Sequence, residues 1–296
     1  MVNAKVASAA LGVTKDVVVY LPAGYDTDPA RRWPVYYFLH GLGGDETNWT
    51  KRGHLDEVAD RAGVQAIIVM PDADNSFYTD SVTPVDYEAC LGSGKGLFIP
   101  TQPPRTTCVK TPNYEGWITK DLVAWTDATY RTIPNRASRG IAGFSMGGFG
   151  ALSLGLRHKD LYVAAASHSG VDALLYAGPY PYEAGKVELA ADVASWGGRD
   201  EFGNWMRGIL GADIANWRAH DPSFLVGDLK PGELALYLDC GTEDVFHLEN
   251  GAMYLHDLLL AKKIAHTFFI GPGKHDFSFW TPRLPETFKF LAANVK

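Results

Sequence analysis

The run Arg139-Gly140-Ile141-Ala142-Gly143-Phe144-Ser145-Met146-Gly147-Gly148-Phe149-Gly150-Ala151-Leu152 decides the fold. Arg139 to Ala142 reads as a short strand, and Gly147 to Arg157 carries a helical pattern. Between them stands Gly-x-Ser-x-Gly. Three fixed positions in five recur by chance, so the pentapeptide alone says little. Its setting says more: a serine on a sharp strand-to-helix turn is lifted above the end of a sheet, and the flanking glycines make room for that turn. The helix starting beneath it offers unpaired N–H groups and the positive end of a dipole, which favour a developing negative charge. A glycine-rich turn with a capping serine is the plainer reading, but it leaves the strand and the helix on either side unexplained.

The same alternation extends outward. Val17–Leu21 reads as a strand ending at Pro22, and Val35–Leu39 as a buried strand ending in His40-Gly41. Leu55–Ala62 is a short helix and Ala66–Met70 a further buried strand. Ile118, Leu122 and Trp125 fall on one face of a helix over 116–131. Tyr162–Ser167, Leu234–Cys240 and His266–Ile270 complete the strands, and helical patterns at 249–262 and 283–293 follow the last two. Continuous apolar strands separated by helices predict an α/β fold with a mostly parallel sheet covered on both faces. Two segments break the rhythm, about 73–115 and 171–230. Each follows a strand, where open α/β sheets carry their sites, so both are read as insertions shaping a pocket in one domain spanning 1–296.

Composition removes several functions. The chain has 296 residues, 46% of them hydrophobic and 21% charged, which excludes a disordered chain. No apolar run reaches the length of a membrane span. The 27 Lys and Arg against 34 Asp and Glu give a net charge of −7, which with no basic cluster counts against nucleic acid. Three cysteines are too few for a disulfide scaffold or a zinc ribbon. Cys240, inside an apolar run, reads as an inert core thiol. Cys90 and Cys108 share a Gly/Pro/Thr-rich segment and are either two free thiols or a bridge that closes this loop and walls the pocket. A bridge implies an oxidising compartment, secreted or cell envelope, and free thiols a cytoplasmic one. The start Met1-Val2-Asn3-Ala4-Lys5 lacks a signal-peptide pattern, so the export reading requires a leader already removed.

A serine hydroxyl needs a base, and the base needs a carboxylate to hold it. His275 lies in Gly271-Pro272-Gly273-Lys274-His275-Asp276, directly after the last strand, and is the candidate base. His158 sits among charged neighbours, His256 in a helix, and His266 at the start of a strand. The acid should follow the preceding strand, in Asp239-Cys240-Gly241-Thr242-Glu243-Asp244. Asp239 belongs to the strand; Glu243 and Asp244 compete, and Asp244, further into the loop, is favoured. His40-Gly41-Leu42-Gly43-Gly44 leaves a buried strand and can carry a backbone donor toward the serine. The oxyanion donors would be the N–H groups of Leu42 and Met146, with His40 bracing the loop. Trp49, Phe144 and Trp280 flank these loops and either pack or grip an acyl or aromatic group. Asp72-Ala73-Asp74-Asn75 hints at calcium but lacks the glycine and distal glutamate of an EF-hand, so no metal is expected. Gly92-Ser93-Gly94-Lys95-Gly96 lacks the P-loop spacing.

Four stretches carry a family resemblance. They are Val19-Tyr20-Leu21-Pro22 with His40 to Gly44; Tyr114 to Ile133 leading into Ile141 to Gly148; Cys240-Gly241-Thr242-Glu243-Asp244; and Gly273-Lys274-His275-Asp276-Phe277-Ser278-Phe279-Trp280. Together they cover most of the chain apart from the two insertions. The chain resembles the esterase D-like branch of the α/β-hydrolases, which includes S-formylglutathione hydrolases, feruloyl esterase domains and mycolyltransferases. The last two stretches look most like feruloyl esterase domains, with their Cys-Gly-Thr-x-Asp acid loop and His-Asp-Phe…Trp histidine loop, and that likeness places the acid on Asp244. The elbow reads Gly-Phe-Ser-Met-Gly, where S-formylglutathione hydrolases have Gly-His-Ser-Met-Gly, and 73–115 is longer than compact members need.

The resemblance implies an α/β-hydrolase fold and a cofactor-free serine carboxylesterase acting on a small-molecule or carbohydrate-linked ester, feruloyl, acetyl or another small acyl. Acyl transfer to an alcohol or sugar, thioester hydrolysis, and a non-catalytic binding protein on the same fold are the competing expectations.

Overall fold

The computed structural model describes residues 1–93, 107–194, 196 and 201–296. Its strands are β1 (Val2–Ser8), β2 (Val13–Tyr20), β3 (Val35–Leu39), β4 (Ile67–Pro71), β5 (Arg139–Phe144), β6 (Ala164–His168), β7 (Tyr176–Gly178), β8 (Glu188–Leu189), β9 (Ala235–Glu243) and β10 (His266–Lys274). Eight form one sheet in the order β1-β2-β4-β3-β5-β6-β9-β10, and β7 and β8 make a separate small hairpin. From β4 to β10 every neighbouring pair is parallel, while β2 runs antiparallel to both β1 and β4. This mostly parallel sheet with flanking helices is an α/β-hydrolase fold.

β3 shows why unbroken apolar runs mark central strands. Val35, Tyr37 and Leu39 point into one core and Tyr36 and Phe38 into the other, so every residue of the strand is buried. The first core takes Phe149, Leu152 and Leu156 from the helix Met146–Arg157, together with Leu255 and Leu259 from the helix Leu248–Ala261. The second takes Leu55, Val58 and Ala59 from the helix Leu55–Ala62 and Leu284, Phe288 and Leu291 from the helix Phe277–Asn294. Each fully buried side chain of this size contributes about 1.5–3 kcal/mol.

Several elements depart from the sequence reading, among them the following three. β1 is an additional strand; its outer positions face solvent as an edge strand, so it carries little apolar signal. The last helix begins at Phe277, not 283, despite Pro282 and Pro285. Asp276 caps it by accepting from Ser278 N–H at 2.8 Å, and Phe279, Trp280 and Leu284 pack into the second core, offsetting the hydrogen bonds the prolines cannot make. The helix expected over 116–131 is two α segments, Tyr114–Gly116 and Leu122–Thr129, joined by a π turn at Trp117–Asp121.

Parallel strands end on one edge. There β3 delivers His40 and Leu42, β5 delivers Ser145, β9 delivers Asp244 and β10 delivers His275.

Candidate active site

Ser145 adopts φ 55° and ψ −121°, a conformation L-residues rarely sustain. The glycines beside it permit this. A Cβ on Gly143 would lie 2.2 Å from the Gly147 carbonyl oxygen, and one on Gly147 would lie 2.3 Å from that of Leu39. Only bare backbone lets the helix start sit so close to β3. The Ser145 N–H donates to the His168 carbonyl at 2.9 Å, tying the turn to β6.

The structure brings Ser145, His275 and Asp244 together. His275 Nε2 lies 2.9 Å from Ser145 Oγ, and His275 Nδ1 lies 2.7 Å from Asp244 Oδ2. The Asp244 side chain is fully buried, and its Oδ1 accepts the Phe246 N–H at 2.8 Å. Glu243, at the exposed end of β9, makes neither contact. Cys240 is a free, buried thiol, and it donates to Asp244 Oδ2 at 3.5 Å. Burial, and then the Asp244 charge, push that thiol well above its ordinary pKa, so it remains an S–H donor. No spacing rule signals this; it follows from β9 continuing through Glu243 and folding back at Asp244. The Phe246 and Trp280 rings stand nearly perpendicular to the His275 ring, with centroids 4.9 and 5.0 Å from it.

His40 does not face the serine. Its Nε2 accepts the Ala73 N–H at 3.0 Å, which leaves Nδ1–H to donate to the Gly41 carbonyl at 2.9 Å. It braces the loop carrying Leu42. Met146 is the first residue of its helix, so its N–H has no intrahelical partner. Leu42, Met146 and Ser145 all line one cavity of about 840 Å³.

That cavity corrects two expectations. Trp49 does not line it. Its indole is 1% exposed, donates to the Leu39 carbonyl at 3.0 Å and packs edge-on against Phe144, so it is a core residue supporting the elbow from behind. Phe144 and Trp280, stacked at 4.4 Å, do reach the cavity wall. Cys90 and Cys108 are joined in a disulfide with Cα atoms 5.8 Å apart, but they do not wall the pocket. From 73–115, only Phe77 among the described residues lines it, and 94–106 of that insertion lie outside those residues. Among the described residues the 171–230 insertion supplies the largest single share of the wall, including Val171, Leu174, Tyr176, Tyr180, Trp196 and Phe202. Sequence reasoning missed these and the cationic Arg52 at the rim; the one available signal was that the insertion follows β6 on the sheet's carboxyl edge.

Asp172, on the same wall, is fully buried. Burial pushes its carboxyl up to about 8, against the opposing Ser167 hydroxyl, and the charges of Asp239 and Asp221 add to the rise. Ser167 Oγ donates to its Oδ1 at 2.6 Å, and Oδ2 has no partner among the described residues. Among those residues no group of three or more His, Cys, Asp or Glu is placed to hold a metal ion, and no helix is long and apolar enough to cross a membrane.

The sequence matches the profile of the family described as "Putative esterase" over residues 8–291. An esterase of Mycobacterium tuberculosis is 31% identical over 163 residues, covering 55% of this chain and 30% of that protein, so this chain matches less than a third of that relative's length. The S-formylglutathione hydrolase of Rattus norvegicus is 25% identical over 266 residues, covering 88% of this chain and 82% of that enzyme. Among solved structures, a ferulic acid esterase superposes with a TM-score of 0.71 at 22% identity, covering 100% of this chain and 98% of that one, a likeness of fold.

Proposed function

This chain belongs to the "Putative esterase" family, and from that premise we propose that it is a serine carboxylesterase working through an acyl-enzyme. The observation that carries the reading is the hydrogen-bonded chain from Asp244 through His275 to Ser145 at the floor of a cavity. Ser145 Oγ attacks the ester carbonyl as His275 Nε2 takes its proton. Asp244 holds the imidazole with Nε2 toward the serine and stabilises the imidazolium that forms. The N–H groups of Leu42 and Met146 receive the oxyanion. His275 then returns the proton to the leaving alcohol. Water, deprotonated by the same imidazole, releases the acid and restores Ser145. The residues named hold and move every proton in this scheme, and none of its steps calls for a cofactor.

The acyl group sits against Phe144 and Trp280. A cavity of about 840 Å³ walled by aromatic side chains has room for an aryl or extended acyl group as well as for acetyl. The catalytic unit is one α/β-hydrolase domain. The Cys90–Cys108 bridge supports a secreted or cell-envelope location. Turnover of p-nitrophenyl acetate, of a feruloyl ester and of a glutathione thioester, measured side by side, tests the reading. Ester hydrolysis outpacing the thioester supports it. Turnover confined to the thioester would replace it with thioester hydrolysis, and none at all with a binding protein.

A further inference from the structure

The segment Asp72-Ala73-Asp74-Asn75-Ser76-Phe77-Tyr78 leaves β4 in an expensive conformation. Asp74, Phe77 and Tyr78 all have positive φ, at 49°, 51° and 54°. Side-chain-bearing residues hold such angles only where surrounding contacts over-determine them. Here the contacts converge on the loop that carries Leu42. The Ala73 N–H donates to His40 Nε2 at 3.0 Å, and the Tyr78 hydroxyl donates to the His40 carbonyl at 2.8 Å. Asn75 Oδ1 accepts the Gly43 N–H at 2.6 Å. Leu42 is therefore held from both sides. The Tyr78 ring also lies against the nucleophile helix, where a Cβ on Gly150 would fall 2.4 Å from it. One side chain thus touches both the loop bearing Leu42 and the helix beginning at Met146.

The segment is anchored from beneath. Buried Lys15 Nζ lies 2.7 Å from both Asp72 Oδ2 and Asp74 Oδ2. The Tyr114 hydroxyl donates to Asp74 Oδ2 at 2.6 Å, and Trp117 Nε1–H to the Asp72 carbonyl at 3.0 Å. Burial opposes ionisation of Asp72, but the adjacent Lys15 ammonium outweighs it and holds that carboxyl below its ordinary range. The acidic run that hints at calcium in the sequence is instead met by a lysine.

We propose that Asn75 and Tyr78 are positioning residues that set the Leu42 N–H against the Met146 N–H, so that both donors meet the oxygen of the tetrahedral state. This rests on the serine esterase reading above. Losing one oxyanion donor outright costs about 10²–10³ in turnover, and a displacement of about 1 Å can cost 10²-fold. Releasing one grip on the loop should therefore cost roughly ten- to a hundredfold.

The test compares Asn75→Ala and Tyr78→Phe with Tyr162→Phe, which removes a core hydroxyl that has no partner among the described residues. Three quantities are measured for each: kcat and KM on a p-nitrophenyl ester, the inhibition constant of a trifluoromethyl ketone, and Tm. The ketone adds to the serine and places a charged oxygen in the hole. Asn75→Ala and Tyr78→Phe should lower kcat with KM little changed, since the lost contact acts only in the transition state. They should weaken the ketone by the same factor, while Tyr162→Phe moves neither. Undiminished kcat in both variants, a rise in KM alone, or an equal loss in Tyr162→Phe would overturn the proposal. If the wild type hydrolyses no ester, the esterase reading and this proposal fall together; an active wild type with undiminished variants removes this proposal alone.

Discussion

Asp244→Asn changes one atom in a side chain whose surroundings fix the outcome. The Phe246 N–H donates to one oxygen of Asp244 at 2.8 Å, while the weak Cys240 S–H on the other, at 3.5 Å, can turn to the Gly241 carbonyl; the asparagine therefore presents its carbonyl to Phe246, since a flipped amide would face a fixed backbone donor with a donor. Its NH₂ then points at His275 Nδ1, where the carboxylate accepts at 2.7 Å. An amide that donates to Nδ1 forces the proton onto Nε2, which lies 2.9 Å from Ser145 Oγ. The imidazole then shows the serine a proton rather than a lone pair and cannot act as base. In a serine protease the corresponding change lowers kcat about 10⁴-fold, equivalent to roughly 5.5 kcal/mol of barrier, and the same is expected here. Glu243→Gln is the comparison. That side chain is exposed and bonds to neither His275 nor Ser145, so turnover should stay within about twofold and Tm should barely move, since exposed substitutions usually change stability by less than about 0.5 kcal/mol. The assay is the initial rate on a p-nitrophenyl ester, with Tm confirming that both variants fold. If Asp244→Asn keeps more than about a tenth of wild-type turnover, or Glu243→Gln is the crippled one, the tautomer argument is wrong.

Two further perturbations read other parts of the molecule. A thiol count on unfolded, unreduced protein should find one reactive group, Cys240. Reducing the bridge should destabilise by up to about 3 kcal/mol on the chain-entropy account. KM should change little, because neither cysteine lines the cavity; three thiols before reduction, or a large rise in KM after it, would contradict this. Asp172→Asn tests the buried acid. A carboxyl raised from 3.8 to about 8 keeps its proton in the folded chain after the unfolded chain has lost it, so wild-type stability falls as pH rises from about 4 to 8. Asparagine does not titrate, so the variant's Tm should gain on the wild type between pH 5 and 8.5, by the equivalent of a few kcal/mol at most; a difference independent of pH would show that Asp172 is ionised throughout.

How much of this was legible follows from where each signal resides. β3 and β5 are buried on both faces, so apart from Arg139, which is paired with Asp127 at the start of β5, they read as unbroken apolar or small-residue runs and stand out in the chain. β1 lies at an edge, and half its pattern belongs to solvent. That Ser145 and His275 come together was legible because a turn of glycines and a loop after the last strand leave few alternatives. Glu243 and Asp244 could be separated only by position and resemblance, since the end of β9 decides which carboxylate turns inward. Whether Trp49 packs or grips a substrate stayed open in the sequence, because proximity to a loop at the sheet edge does not say on which side an indole packs; here it packs behind Phe144. The cavity wall from 171–230 was not legible residue by residue: its aromatics obey no single period, and their convergence depends on short helices and a small hairpin whose packing is tertiary.

The central claim is that Ser145 is the nucleophile, and a fluorophosphonate probe tests it directly. The account predicts one adduct per chain on Ser145, no labelling of Ser145→Ala, and a loss of esterase turnover on the order of 10⁴ or more in that variant with Tm unchanged. Labelling of Ser145→Ala, or esterase activity above about a tenth of the wild type, would contradict it.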